Sequence, residues 1–183
     1  MGPRPWRVLG DERLQDCKVF DVHRTMVESP TTGEAHPFYR IASPAWVNVV
    51  ALTPDEELVM VRQYRQGLGA VTLEIPGGLV DPGESPGEAG ARELLEETGY
   101  RPERMASLGS ISPNPALFTN RCHMQVAEGC VRVAEIQNSA TEETVVELLP
   151  LDRLQETVRR GLIDHALVVA ALYAFELWRA GDD

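Results

Sequence analysis

Glu93, Glu96 and Glu97 are spaced so that on a helix all three carboxylates can turn toward one edge. Like charges that close repel by about 1 kcal/mol per pair at 4 Å in water, and by about 4 kcal/mol at an effective dielectric near 20. Arg92 stands at helical spacing from Glu88 and Glu96, yet one guanidinium does not balance four carboxylates. The remainder suits a hard divalent cation. Mg²⁺ favours carboxylate and carbonyl oxygen and keeps waters that a phosphate can displace. A solvated acidic face is the bland reading of any glutamate-rich helix. The preceding segment argues against it: Glu74 to Glu84, EIPGGLVDPGE, is glycine-rich, lets main chain approach a ligand, and delivers it to the helix. An exposed carbonyl there, best placed at Gly77, would complete a set of oxygen donors.

The elements that must position these groups have clear punctuation. Ser85 can cap a helix running to Glu97, with Pro86 at its first position, Glu88 closing a capping box and Gly99 just past the end. Ahead of it, Val19 to Glu28 and Pro37 to Ile41 read as strands around the turn Pro30 to Gly33, followed by strands Trp46 to Leu52 and Glu57 to Tyr64. Behind it come strands Met105 to Ile111, Arg121 to Ala127 and Val145 to Pro150, then helices Asp152 to Arg160 and Asp164 to Arg179 separated by Gly161. The apolar run Ala166 to Leu172 suits a layer packed on a sheet. Strands, helix, strands, helices predict an α+β fold, with an N-terminal β extension over 1–43 and one catalytic domain over 44–183.

Composition narrows the function. The chain has 183 residues, 43% of them hydrophobic, and a formal net charge of −11, which excludes binding to a nucleic-acid backbone through a basic surface. Its longest apolar run, Ala166 to Phe175, is short of the roughly 20 residues a bilayer span needs, and no secretory segment is evident, so a cytoplasmic enzyme with no membrane partner is expected. Cys17, Cys122 and Cys130 lack close ligand spacing and read as reduced packing residues.

The segment Gly78 to Tyr100, GLVDPGESPGEAGARELLEETGY, resembles the Nudix box: glycine, five residues, glutamate, seven residues, then Arg-Glu-aliphatic-x-Glu-Glu-x-Gly and an aliphatic residue. Gly78, Glu84, Arg92, Glu93, Leu94, Glu96, Glu97 and Gly99 match; Tyr100 departs from the aliphatic position. The resemblance implies an α/β/α sandwich with a mixed β-sheet. It makes Glu93 and Glu97 the main metal ligands, Glu96 a further ligand or an orienter of water, and the Gly77 carbonyl another ligand. Glu84 and Arg92 would join loop and helix by a salt bridge. Mg²⁺, with Mn²⁺ as a substitute, would offset diphosphate charge and acidify the water that attacks phosphorus.

The flanks refine this. Val61 to Arg65 (VRQYR), Leu73 to Gly78, and Pro115, 15 residues beyond Tyr100, are similar to the branch that cleaves ADP-ribose and other nucleoside diphosphate sugars such as GDP-mannose, giving a nucleoside monophosphate and a sugar phosphate. By that resemblance Arg62 and Arg65 hold phosphate or ribose, although strand alternation leaves an ordinary surface charge open for one of them. Glu74 would join the metal surroundings or hydrogen-bond the loop. The general base would be Glu142 or Glu143. Trp46, Phe38 and Tyr39 are candidates to stack on the nucleobase, since this branch usually forms a homodimer through its N-terminal strands. His123 and His165 read as structural. Two alternatives remain: a house-cleaning nucleoside triphosphate pyrophosphohydrolase, and a non-catalytic nucleotide-binding regulatory module.

Overall fold

Alternating apolar residues and glycine-marked turns organise the chain into two compact units. One runs to Pro44 and takes in Ser112–Arg121; the other comprises Ala45–Ile111 and the chain from Cys122 onward. The computed structural model describes residues 2–181; Met1, Asp182 and Asp183, which the expected limits of 1–43 and 44–183 include, lie outside the described residues.

The first unit is an antiparallel sheet of β1 (Arg7–Asp16), β2 (Asp21–Glu28) and β3 (Ala35–Ala42), in that order. The β2–β3 turn forms where the proline-to-glycine punctuation places it: Ser29 Oγ accepts from the Thr31 and Thr32 amides, and Gly33 takes φ +74°. The structure starts β2 at Asp21, two residues after the expected Val19, because Cys17 to Phe20 close a turn with Lys18 at φ +66°. β1 is exposed at every position, so no buried face imposed an alternation by which sequence could reveal it. Ser112–Arg121 joins this unit through a bridge between Ile41 and Phe118 and a bond from Asn120 Nδ2 to the Pro44 carbonyl.

The second unit contains β4 (Trp46–Ala51), β5 (Glu57–Arg65), β6 (Ala70–Glu74), β7 (Gly77–Leu79), α1 (Pro86–Thr98), β8 (Tyr100–Arg101), β9 (Arg104–Ile111), β10 (Cys122–Glu128), β11 (Val131–Arg132), β12 (Thr144–Pro150), α2 (Leu154–Arg159) and α3 (Ala166–Gly181). β7-β4-β10-β9 form one sheet and β12-β5-β6 another, with β8 and β11 as a small ribbon. β10 runs parallel to β4 and antiparallel to β9, which makes the sheet mixed.

Two cores define the layers. Val47, Val49, Ala51, Val59 and Ala127 meet Ala89 and Leu94 of α1 on one face. On the other, Val50, Leu58, Met60 and Val126 meet Leu154 of α2 and Val168, Ala171, Leu172 and Phe175 of α3. Adjacent residues of β4 and β5 thus enter opposite cores, as strand geometry requires, and the result is the expected α/β/α sandwich. The first C-terminal helix is shorter than expected, since Leu151–Arg153 forms a 3₁₀ turn before α2 begins. Among the described residues no helix is long and apolar enough to cross a membrane.

Candidate active site

The glutamate helix is fixed at both ends by its own sequence. Ser85 Oγ accepts from the Glu88 amide while the Glu88 carboxylate accepts from the Ser85 amide at 2.8 Å, and Gly99 closes the far end at φ +75°. Gly77 lies where no side chain fits, and a side chain at Gly78 would have to displace the end of Glu93. A Cβ on Gly77 would stand 2.3 Å from the Val47 carbonyl oxygen, and one on Gly78 would stand 2.3 Å from Glu93 Oε1. Main chain and carboxylates are therefore in direct apposition.

Glu97 is 6% exposed, and its Oε2 accepts from the Gly77 amide at 2.9 Å. Burial pushes its carboxyl up to about 8; the Gly77 amide opposes this, Glu93 and Glu142 add to it, and Arg65 opposes it. Glu93 is also raised, first by burial, with Arg92 opposing and Glu96 and Glu142 contributing. Arg92 bonds both Glu84 oxygens at 2.9 and 3.0 Å, the Leu79 carbonyl at 3.0 Å, Glu93 Oε1 at 2.9 Å and Glu96 Oε2 at 3.2 Å. It thereby ties the loop to the helix, and its pKa is raised chiefly by Glu84.

A second set stands on β5 and β6. Arg65 grips Glu74 with two bonds of 2.8 and 2.7 Å, Thr72 Oγ1 donates to Glu74 Oε1 at 2.6 Å, and His165 Nδ1 lies 3.0 Å from Glu74 Oε2. Burial works to raise Glu74, but the bonds from Arg65, His165 and Thr72 outweigh it and hold the carboxyl well below the usual range. Glu74 is thus the anchor of Arg65, whose own pKa is raised chiefly by Glu74 and further by the charges of Glu97 and Glu142. Of the acid-loop pair, Glu142 acts electrostatically on Glu93, Glu97 and Arg65. Its Oε2 accepts from Ser139 Oγ at 2.9 Å, and Glu143 is exposed on the same loop.

The remaining residues are dispersed. Arg62 alternates with Arg65 to the opposite face of β5 and bonds Glu147 Oε2 of β12 at 2.5 Å. Trp46 opens β4, half-buried, opposite Leu79 of β7. Pro115 is exposed on a turn of the segment that packs with the N-terminal unit, and Phe38 and Tyr39 are exposed on β3 of that unit. His123 is half-buried on β10. Sequence reasoning did not single out Thr72 and Thr144, and it left His165 outside the site; the pairing of β5 with β6 and β12 sets these threonines beside Arg65 and Glu74, and that register is not carried by local sequence.

The donor set fits a hard divalent cation. Glu97 is buried, and among the described residues it takes a hydrogen bond from Gly77 but no salt bridge. Such a carboxylate next to Glu93 and Glu142 calls for positive charge. Among the described residues no three His, Cys, Asp or Glu side chains converge ready-made on one point. Arg92 accounts for this, because it draws Glu93 and Glu96 to itself.

A model of the NUDIX domain matches residues 43–171. The chain belongs to the Nudix family. This Nudix chain is 31% identical over 172 residues to the methanol dehydrogenase activator of Bacillus methanolicus, with 91% of each chain covered. It is 29% identical over 170 residues to the ADP-ribose pyrophosphatase of Bacillus subtilis, again covering 91% of each. A crystal structure of an ADP compounds hydrolase superposes with a TM-score of 0.87 at 25% identity, covering 100% of this chain and 98% of the other. Nudix hydrolases act with a divalent metal, which agrees with the oxygen donors of the box.

Proposed function

We propose that this Nudix chain hydrolyses the diphosphate bond of ADP-ribose and related nucleoside diphosphate sugars, releasing a nucleoside monophosphate and a sugar phosphate. The observation that carries the reading is the uncompensated, buried Glu97 beside Glu93 and Gly77, with the anchored guanidinium of Arg65 near enough to act on it. Its similarity to an ADP-ribose pyrophosphatase and an ADP compounds hydrolase along almost the whole chain supports the substrate class.

Glu93, Glu97 and the Gly77 carbonyl hold the cation, Mg²⁺ with Mn²⁺ as a substitute, and Glu96 is a further ligand or orients water. A divalent cation there supplies charge against the diphosphate and acidifies water. Glu142 is the general base in preference to Glu143, because its charge reaches both Glu93 and Glu97. Arg65 keeps unused N–H donors for a phosphate while Glu74 fixes its direction. Trp46 contacts the remainder of the substrate, Arg62 is left as a surface charge paired with Glu147 on the opposite face of β5, and Glu84 with Arg92 keeps loop and helix in place.

The protein is proposed to act as a homodimer in the cytoplasm. Exposed Trp6, Val8 and Phe38, which share one face of the N-terminal sheet, supply apolar contacts for a second copy, and the free buried thiols of Cys122 and Cys130 suit a reducing compartment. The test is a panel of ADP-ribose, GDP-mannose, other nucleotide sugars and nucleoside triphosphates, with Mg²⁺ and mass detection of products. Monophosphate from the sugars is expected. Pyrophosphate from the triphosphates in its place, or tight binding without any product, would overturn the reading; light scattering reads the mass in solution.

A further inference from the structure

Buried polar atoms are nearly always hydrogen-bonded, so each exception calls for a ligand, a water or a role. Among the described residues, Asn48 Nδ2, Gln63 Oε1 and Asn120 Oδ1 are buried without a partner. Asn120 belongs to the N-terminal unit, and Asn48 alternates with Val47 and Val49 away from α1. Gln63 is different.

Gln63, 6% exposed, lies on β5 directly opposite Thr144 of β12 on one side and Thr72 of β6 on the other. Opposed residues share a face, so the three make one buried polar row. That face meets the glutamate helix: Val59, on the same side of β5, packs with Ala89 and Leu94 of α1, and Thr144 Oγ1 donates to the Glu97 main-chain oxygen at 2.8 Å. The next β5 residue on this face is Arg65, with Glu74 beyond Thr72 on β6. The flanking hydroxyls are occupied, Thr144 by Glu97 and Thr72 by Glu74 Oε1 at 2.6 Å. Neither leaves a proton for Gln63. A buried acceptor thus lies on the face of the acids and the guanidinium with no donor supplied by the described residues.

We propose that Gln63 is a binding residue of the active site: its carboxamide oxygen accepts a hydrogen bond from an O–H donor held on the floor of the site beside Glu97. Two sources carry that chemistry, a resident water and a hydroxyl of the nucleotide sugar. Buried waters settle where otherwise unsatisfied groups await them, and a sugar hydroxyl would displace such a water with little change in hydrogen bonding. The inference rests on the reading of the chain as a nucleoside diphosphate sugar hydrolase.

Gln63→Met keeps the length of the side chain and removes the acceptor. Steady-state kinetics on ADP-ribose and on its deoxy-sugar analogues, with a thermal melt of each protein, test the proposal. The expected result is a fall in kcat/KM of about tenfold to a hundredfold without loss of Tm. A fall in kcat shared by all substrates assigns the donor as water. A rise in KM that vanishes with one deoxy analogue assigns it as that hydroxyl. A variant with raised Tm and kcat/KM within about twofold of the parent overturns the proposal, because removing an unsatisfied acceptor would then have relieved a cost and nothing more. If Gln63→Met does not fold, Gln63→Leu is read by the same criteria. An active parent with an indifferent variant sinks only the role of Gln63, whereas an inert parent sinks the hydrolase reading with it.

Discussion

At Glu97 burial and charge repulsion act on one carboxylate, and a cation nearby would relieve both. Glu97→Gln keeps an acceptor for the Gly77 amide and removes the charge. We expect turnover to fall by about two to three orders of magnitude, while the metal-free protein melts higher at pH 8, by roughly 5 °C. The sign follows from burial: the folded protein holds this carboxyl at about 8, so ionising it opposes folding when no cation is bound. Calorimetry with chelator and a rate assay with Mg²⁺ read the two effects, and a variant that loses stability while keeping its rate would remove the metal role. The two glycines separate in the same manner. Gly78→Ala meets the movable end of Glu93 at 2.3 Å, so turnover should drop about tenfold or more with the Tm nearly kept. Gly77→Ala meets the Val47 main-chain oxygen at 2.3 Å, which cannot swing aside, so stability should fall by about 2 kcal/mol or more. Equal melting points for the two variants would refute this distinction.

Elements were legible where local chemistry fixed them. The box helix announced itself through Ser85, Pro86, Glu88 and Gly99, and its observed span is Pro86–Thr98. β6 and β7 were hidden, since Ala70–Glu74 and Gly77–Leu79 are short and the glycines that serve close approach also erase a strand pattern. β1 was hidden because both its faces are exposed. The same split holds for the site: glutamate spacing gave the α1 acids, but the polar row of Thr144, Gln63 and Thr72 depends on strand register, which local sequence does not carry. The N-terminal sheet has its own polar knot, Asp11 accepting from Thr25, Arg40 and His23, with bonds from Arg40 at 2.5 Å and to His23 at 2.7 Å. These bonds, Thr25 first, hold Asp11 well below the usual carboxylate range. A lowered folded-state pKa contributes stability that is present above the unfolded value of 3.8 and is lost as pH falls from there toward the folded value. Melts between about pH 6 and pH 3 should show a steeper acid loss in the parent than in Asp11→Asn. Parallel curves would mean that the knot does not couple to folding of the sheet.

The whole molecule carries a net charge of −11 and a sequence pI near 4.8, yet its proposed substrate is a diphosphate anion. Part of that charge is the box itself, where Glu84, Glu93 and Glu96 share one arginine and Glu97 has no salt bridge among the described residues, and bound cations reverse the local sign. At longer range the remaining acids repel an approaching anion. The range of that repulsion is set by the Debye length, about 30 Å at 0.01 M and about 8 Å at 0.15 M ionic strength. With the divalent cation saturating, raising NaCl between those limits should therefore increase kcat/KM for ADP-ribose by roughly twofold to threefold, through KM, and leave kcat unchanged. The divalent concentration must be held fixed, since competing ions would otherwise imitate a loss of substrate affinity. A kcat/KM that falls from the first addition of salt would mean that Arg65 and the bound cation govern the approach, and that the acidic surface lies too far from the entrance to be felt.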